Sequence, residues 1–335
     1  MAFPASSVQF EWTMHSFAYE SPNSAADALA ALSAPDAVPL GGGTDLLVTI
    51  KERLIHPDLL VDLRRIPNAR AITTLADGTL RIGSGARIAE IAVHPLIRGQ
   101  FSALAQAAQL VGTPALRNMG TIGGNLGQRP RCWYFRRGVP CVKNGATDCP
   151  AVEGENQYHA ILDAGPCHAV HPSDPAVALT ALDATVEISG TGGTIRTVPI
   201  AELFDGASQN PLRETSLVHG EIISAILLPE SAAGGTQQYT KLMQRGAWDF
   251  ALVSIAAVKR TDGEVRLVLG GVAPGPYRVN PSVEQDVASG ELDDESVDAL
   301  AERALYDAEP LSKNAYKVQQ AAALLKRAMH DLSRA

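Results

Sequence analysis

Four cysteines are the residues of this sequence whose type and spacing could carry chemistry. Cys132, Cys141, Cys149 and Cys167 fall within 36 residues of a 335-residue chain that has no other cysteine. Their spacing is C-x8-C-x7-C-x17-C. Four thiolates form a complete ligand set for a zinc ion or for an iron–sulfur cluster. The cysteines therefore predict a metal centre, and free thiols or two disulfides are the alternatives.

The wide spacing of the cysteines discriminates among these alternatives. Zinc sites usually contain C-x2-4-C pairs, which are missing here, whereas a [4Fe-4S] cluster accepts wider intervals. Disulfides are typical of small secreted domains, and a chain with 46% hydrophobic residues has little need of them. The spacing thus favours a [4Fe-4S] cluster and leaves zinc, disulfides and free thiols open. The arginines of residues 129–137 would offset the cluster's charge or form a docking patch.

Two glycine-rich segments could bind a phosphate group. Residues 40–46 read LGGGTDL and residues 120–127 read GTIGGNLG. Neither is a P-loop, and neither fits the G-x-G-x-x-G fingerprint of a dinucleotide-binding fold. Both supply accessible backbone amides and a threonine hydroxyl, which suit a pyrophosphate. Two tight turns are the alternative interpretation.

Short strands and helices must position these segments. We predict helices at 87–98 and 101–111, a hairpin at 184–198 and a strand at 222–228, after strands at 37–40, 59–63 and 80–82. Gly234 and Gly235 mark a boundary. Strands at 238–243, 250–258 and 265–269 then precede helices at 295–306 and 312–333, the second capped by Ser312. This order indicates an α+β fold with a smaller α+β domain at the C-terminal end.

Composition excludes several classes of protein. The net charge is -8 and the calculated pI is about 5.5, which argues against a nucleic-acid-binding protein. No apolar run approaches the ~20 residues that span a bilayer. The first residues lack the basic start and apolar stretch of a secretory signal, so we expect no export signal in this chain.

Three motifs together resemble one family. LGGGTDL at 40–46, RNMGTIGGN at 117–125 and HPSD at 171–174 are similar to the FAD-binding medium subunit of molybdenum hydroxylases. The resemblance implies an FAD-binding domain of the vanillyl-alcohol-oxidase type, with two subdomains, at residues 1–233. It implies a CO-dehydrogenase-flavoprotein-like domain at 236–335. The cysteines lie in an insertion at about 127–170, which resembles that of the periplasmic aldehyde oxidoreductase type and implies that all four ligate a [4Fe-4S] cluster.

The resemblance also implies which residues contact FAD. The first loop would wrap the pyrophosphate, and the second loop would line its other edge. For Asp174 the alternative is a helix N-cap, for Ile222 a core position and for Lys241 a solvated strand lysine. The implied contacts are Leu40, Gly41, Gly42, Gly43, Thr44, Asp45, Leu46, Leu47, Val111, Thr121, Gly124, Asn125, Asp174, Ile222 and Lys241.

The implied function is electron transfer within a complex. The family resemblance predicts a heterotrimer with a large molybdenum-cofactor subunit and a small [2Fe-2S] subunit, in which this chain passes electrons through FAD to an external acceptor. The reaction would be that of an aldehyde oxidoreductase, with no catalytic residue in this chain. The alternative is a stand-alone flavin-dependent alcohol oxidase. The complex would be periplasmic by co-export with a partner, or cytoplasmic.

Overall fold

Three β-sheets organise the chain in a computed structural model that describes residues 14–204, 212–290 and 292–334. The first sheet is parallel and contains β1 (Ala18–Glu20), β2 (Ala37–Leu40) and β3 (Leu59–Asp62), in the order β1-β3-β2. Helix α1 (Ala25–Ala31) connects β1 to β2, and α2 (Leu46–Lys51) connects β2 to β3. Such parallel crossovers bring residue 41, just past the end of β2, to the carboxyl edge of the sheet.

The second sheet is antiparallel and has five strands. They are β4 (Ile72–Thr74), β5 (Leu80–Gly83), β6 (Thr185–Ser189), β7 (Ile195–Pro199) and β8 (Ile222–Leu228), in the order β4-β5-β8-β6-β7. Between β5 and β6 lie α3 (Ile88–Val93), α4 (Pro95–Gln100), α5 (Ser102–Gln109), α6 (Pro114–Met119), α7 (Ile122–Leu126), α8 (Trp133–Arg136) and α9 (Asp174–Ala181). Helix α10 (Ile200–Phe204) follows β7. The second glycine segment thus forms α7 and the turn before it.

The third sheet follows the predicted boundary. It contains β9 (Thr236–Leu242), β10 (Val253–Lys259), β11 (Val265–Gly270) and β12 (Tyr277–Arg278), and helices α11 (Pro281–Ser289), α12 (Asp294–Ala304) and α13 (Tyr316–Ser333) come after it. Alternate residues of β10 point to opposite faces. Ile255 packs with α11–α13, whereas Ala256 packs with α5 and α9. The sheet therefore carries two hydrophobic cores, and the predicted α+β class is confirmed.

Two predicted helices differ in the structure. The segment 87–98 is two helices, because Pro95 disfavours a helical conformation at His94, whose ψ is 126°. The last helix begins at Tyr316 rather than after Ser312. Ser312 accepts a hydrogen bond from the Asn156 amide at 3.1 Å and caps no helix.

One predicted strand also differs in the structure. The strand predicted at 250–258 begins at Val253, and Phe250 belongs to the loop before it.

Across the described ranges, no helix combines the length and apolar character needed to cross a membrane.

Candidate functional site

The two glycine segments meet at one wall of a large cleft. The cleft has a volume of about 640 Å³ and lies between the first and second sheets. A Cβ atom on Gly42 would lie 2.0 Å from the carbonyl oxygen of Met119 and 2.8 Å from the Cα atom of Gly120. Only glycine permits this approach of two backbones. Of the predicted contacts, those that line the cleft are Gly41, Gly42, Gly43, Thr44, Asp45, Leu46, Thr121, Gly124 and Ile222.

The first loop presents unpaired donors to the cleft. Within the described part of the chain, the amides of Gly42, Gly43 and Thr44 have no hydrogen-bond acceptor. Gly43 has a φ of +72°, a left-handed conformation that suits glycine. Consecutive free amides around such a residue form a concavity that binds anions. The loop therefore fits the pyrophosphate of a dinucleotide.

The second loop differs from the sequence prediction, because its amides are already paired. Gly123 donates to the Ser84 carbonyl at 2.8 Å, and Gly124 donates to the Thr121 hydroxyl at 3.2 Å. Ile122 donates to Ala86 at 2.9 Å. This loop therefore supports the first loop by close contact, and it supplies no free amides at these positions.

Asp45 points away from the cleft's anion-binding loop and into the cysteine insertion. Its carboxylate lies 2.7 Å from Arg136 and 3.1 Å from Arg131, and it accepts the Arg129 amide at 2.8 Å. Arg136 also donates to the Thr49 hydroxyl at 3.1 Å and its side chain is only 9% exposed. Arg136, one of the arginines of residues 129–137 that the sequence offered as a docking patch, is thus an internal link between the first glycine loop and the insertion.

We expect Asp45→Asn to destabilise the chain by about 3 kcal/mol, because it leaves the buried Arg136 without its full countercharge. Thermal unfolding followed by circular dichroism should show a Tm lower by roughly 5 °C. Asp298→Asn is the matched control, because the Asp298–Lys326 pair is largely exposed and contributes less than about 1 kcal/mol. Equal Tm values for the two variants would contradict the link.

Asp174 and Lys241 form a buried ion pair outside the large cleft. Their charged atoms lie 2.8 Å apart, and Tyr239 donates to Asp174 at 2.7 Å. Burial raises the pKa of Asp174, and the charge of Lys241 opposes that rise. The interpretation of Asp174 as a helix N-cap is wrong, because Ser173 caps α9. The interpretation of Lys241 as a solvated lysine is also wrong, because its side chain is 1% exposed.

Asp174 lines a second cavity of about 230 Å³, next to the cysteine insertion. Lys241 also donates to the carbonyls of Leu110 and Asp249, so it joins β9 to the end of α5. The pair therefore lies between the second and third sheets. A contact of either residue with a flavin stays a prediction.

The other predicted FAD contacts are not among the residues that line the cleft. Asn125 accepts the Ser173 hydroxyl at 2.5 Å and so connects α7 to α9. Val111 packs against the core of the second sheet. Leu40 is buried, whereas Leu47 is 40% exposed. Their contacts with FAD also stay predictions.

The four cysteines are free and lie together in the insertion. Cys132, Cys149 and Cys167 pack around Val142 and Ala169, and burial, with the neighbouring Cys149 and Cys141, raises the pKa of Cys167. Burial raises the pKa of Cys132 to about 11. Two disulfides are therefore not formed in this conformation. The segment between them is irregular, apart from α8 and one 3-10 turn.

The arrangement of the four cysteines bears on the kind of metal centre that they could form. Among the described residues, no three His, Cys, Asp or Glu side chains are arranged around one metal ion. A four-iron cluster takes one thiolate per iron and so separates its four sulfurs more widely than one ion does. Cys132, Cys149 and Cys167 share one apolar patch, and Cys141 is buried but is not part of that patch. A [4Fe-4S] cluster at the four thiols stays a prediction.

Sequence reasoning missed His159, which adjoins the cysteines. Its Nε2 lies 3.3 Å from the Sγ of Cys132, and the residue is 3% exposed. Burial and the nearby Lys317 lower the pKa of His159 to about 4, so the ring is neutral near pH 7. No sequence pattern indicates this contact, because 26 residues separate the two partners.

Helix α13 and the turn before it anchor the segment that contains His159. The carbonyl of His159 accepts Asn314 at 3.1 Å and Lys317 at 3.0 Å. Lys317 also donates to the carbonyls of Tyr158 and Gly271 and is fully buried. Burial lowers the pKa of Lys317 to about 7, while three carbonyl acceptors favour its charged form. The insertion is therefore held at both ends, by Asp45 and by α13.

Comparison with known proteins matches both halves of the chain. Residues 15–231 match the FAD binding domain in molybdopterin dehydrogenase, and residues 221–332 match the CO dehydrogenase flavoprotein C-terminal domain. The aldehyde oxidoreductase FAD-binding subunit PaoB of Escherichia coli (strain K12) is 36% identical over 91% of this chain and 94% of its own. The carbon monoxide dehydrogenase medium chain of Hydrogenophaga pseudoflava is 29% identical over 94% of this chain and 96% of its own.

A solved structure shares the fold. A carbon monoxide dehydrogenase from Hydrogenophaga pseudoflava superposes with a TM-score of 0.72 at 28% identity. The match covers 93% of this chain and 96% of that one. The similarity therefore extends through all three sheets.

Proposed function

This chain belongs to the FAD-binding medium subunits of the molybdenum hydroxylases, and from that membership we propose its specific role. It is the FAD- and [4Fe-4S]-containing electron-transfer subunit of a molybdenum-dependent aldehyde oxidoreductase. It receives electrons from the [2Fe-2S] clusters of a small subunit and delivers them to an external acceptor. The large subunit carries the molybdenum cofactor and oxidises the substrate.

The observation that supports this role most strongly is the link between the two predicted cofactor sites. The free amides of residues 42–44 fit a pyrophosphate, and the four thiols of the insertion fit a cluster. Asp45 belongs to the first site and binds Arg136 of the insertion at 2.7 Å. One ion pair thus fixes the position of one site relative to the other.

The residues of the chain would bind and position the two groups. Gly42, Gly43 and Thr44 would hold the pyrophosphate, and the four cysteines would ligate the irons. When bound, flavin exchanges one or two electrons and an iron–sulfur cluster exchanges one at a time. Asp45 and Lys317 would hold the insertion at a fixed place beside the flavin domain. Electron transfer between two groups needs such fixed positions.

Cofactor analysis of the purified chain tests the proposal. We expect about four irons, four acid-labile sulfides and one FAD per chain, and no aldehyde oxidation by the chain alone. Adding the large and small subunits should restore turnover, measured with an artificial electron acceptor.

Other results would replace the proposal. Bound FAD without iron, together with alcohol oxidation by the isolated chain, would indicate the stand-alone oxidase. Zinc without flavin would indicate a structural subunit. The relative PaoB is an aldehyde oxidoreductase subunit, which supports aldehydes as the substrate class. Turnover of the complex with aldehydes but not with purines tests this choice of substrate.

A further inference from the structure

His159 has the position of a hydrogen-bond donor to a cluster ligand. Its Nε2 lies 3.3 Å from the Sγ of Cys132, a separation typical of an N–H···S contact. The ring is buried and packs edge-on against Trp133, with ring centroids 6.0 Å apart. The other three cysteines have no comparable histidine contact among the described side chains.

The tautomer of His159 follows from its surroundings. A neutral imidazole carries one N–H, on either Nδ1 or Nε2. The Asn156 carbonyl lies near the ring and favours a ring proton, but Nδ1 has no partner at normal hydrogen-bond geometry among the described residues. A cysteine sulfur bound to iron is a thiolate and can only accept a hydrogen bond. The 3.3 Å contact with Cys132 is therefore satisfied when Nε2 carries the proton.

The backbone at His159 is fixed by a different part of the fold. Its carbonyl accepts hydrogen bonds from Asn314 and Lys317, both fully buried. Its amide donates to the Asn156 carbonyl at 3.0 Å, and Asn156 in turn binds Ser312 and Lys313. Residues 312–317 therefore fix the backbone that carries the His159 ring beside Cys132.

We propose that His159 is a positioning residue that donates its Nε2 proton to Cys132 and raises the reduction potential of the cluster. This inference rests on the proposed [4Fe-4S] function. A hydrogen bond to a ligating sulfur stabilises the reduced cluster more than the oxidised one, because reduction adds negative charge to the sulfurs. Backbone amides already donate to Cys132 and to Cys167, and His159 adds a side-chain donor at Cys132.

The first test measures the potential in the full chain loaded with iron and FAD. His159→Leu removes the donor at similar volume, and we expect a midpoint potential more negative than that of the wild type by electron paramagnetic resonance titration. His159→Gln is the matched variant, because its amide N–H can reach the same sulfur. We expect it to return the potential toward the wild-type value.

Iron content separates failure of the inference from failure of the proposed function. A wild-type chain without iron would overturn the proposed function. Full iron in all three proteins with equal potentials would overturn only the role of His159. Equal shifts in the Leu and Gln variants would also overturn it, because they would indicate a packing effect.

A second measurement does not depend on the stability of a variant. The wild-type chain is labelled with ¹⁵N-histidine, and pulsed electron paramagnetic resonance records nitrogen coupling to the reduced cluster. We expect a weak coupling, of the kind that a hydrogen bond through sulfur produces, and its loss in His159→Gln. Absence of coupling in the wild type, or a coupling as large as that of a directly ligated nitrogen, would overturn the proposal.

Discussion

Serine in place of Cys141 or Cys167 should remove iron from the chain. Each cluster iron takes one cysteine thiolate, and a serine hydroxyl stays protonated at neutral pH and binds iron poorly. Both cysteines are buried, so water cannot readily replace the missing ligand. Because cluster binding stabilises the loop, we expect iron content to fall by roughly tenfold or more. Iron and acid-labile sulfide assays on the purified variants measure this.

The control for this prediction must add a hydroxyl without removing a thiol. Ala169→Ser does so, because Ala169 is 5% exposed and packs beside Cys167. It should retain its iron, and all the proteins should retain FAD. If serine variants at Cys132, Cys141, Cys149 and Cys167 all kept full iron, the cluster assignment would be wrong.

Alanine in place of Gly42 should abolish FAD binding. The added Cβ would lie 2.0 Å from the Met119 carbonyl oxygen, and that obstacle is backbone. The two glycine segments must therefore separate, which displaces the free amides of residues 42–44. We expect FAD occupancy to fall by roughly tenfold or more, since several charge-assisted hydrogen bonds are lost together. Flavin absorbance of the purified chain, with iron content measured beside it, tests this.

Alanine substitutions at two other glycines serve as controls for this prediction. Gly99→Ala should retain FAD, because no atom lies within 4 Å of the new Cβ. At Gly124 a Cβ meets only the Thr121 hydroxyl, at 3.1 Å, so alanine there should cost less FAD than at Gly42. Full FAD occupancy in Gly42→Ala would place the pyrophosphate elsewhere in the cleft.

Short sequence motifs predicted the two glycine loops and the cluster of cysteines, because each lies within one stretch of the chain. The glycine segments and the cysteines are recognisable because their residue types are unusual where they occur. Asp45 illustrates what a pattern omits. It stands in a motif implied to contact FAD, yet its carboxylate binds Arg136, 91 residues away. A single sequence gives no sign of which arginine a carboxylate will meet.

The polar network around α13 was unpredictable for a related reason. Lysine is usually solvated, so Lys317 on an amphipathic helix predicts an exposed position. Its burial depends on three carbonyls supplied by distant segments. The prediction that Ser312 caps a helix rests on equally local grounds, whereas in the structure its hydroxyl accepts a hydrogen bond from the Asn156 amide.

The anchoring of the cysteine segment by α13 has a consequence for the order of events during synthesis. Asn314 follows His159 by 155 residues, and a ribosome that adds about 5–20 residues per second needs roughly 8–30 s to make them. Once Cys167 has been added, early in that interval, all four thiols have been translated, but the helix that fixes their loop has not. Loading of the proposed cluster into its final geometry would therefore follow translation of the C-terminal helix, and we expect a nascent chain stalled before residue 314 to hold no stable cluster.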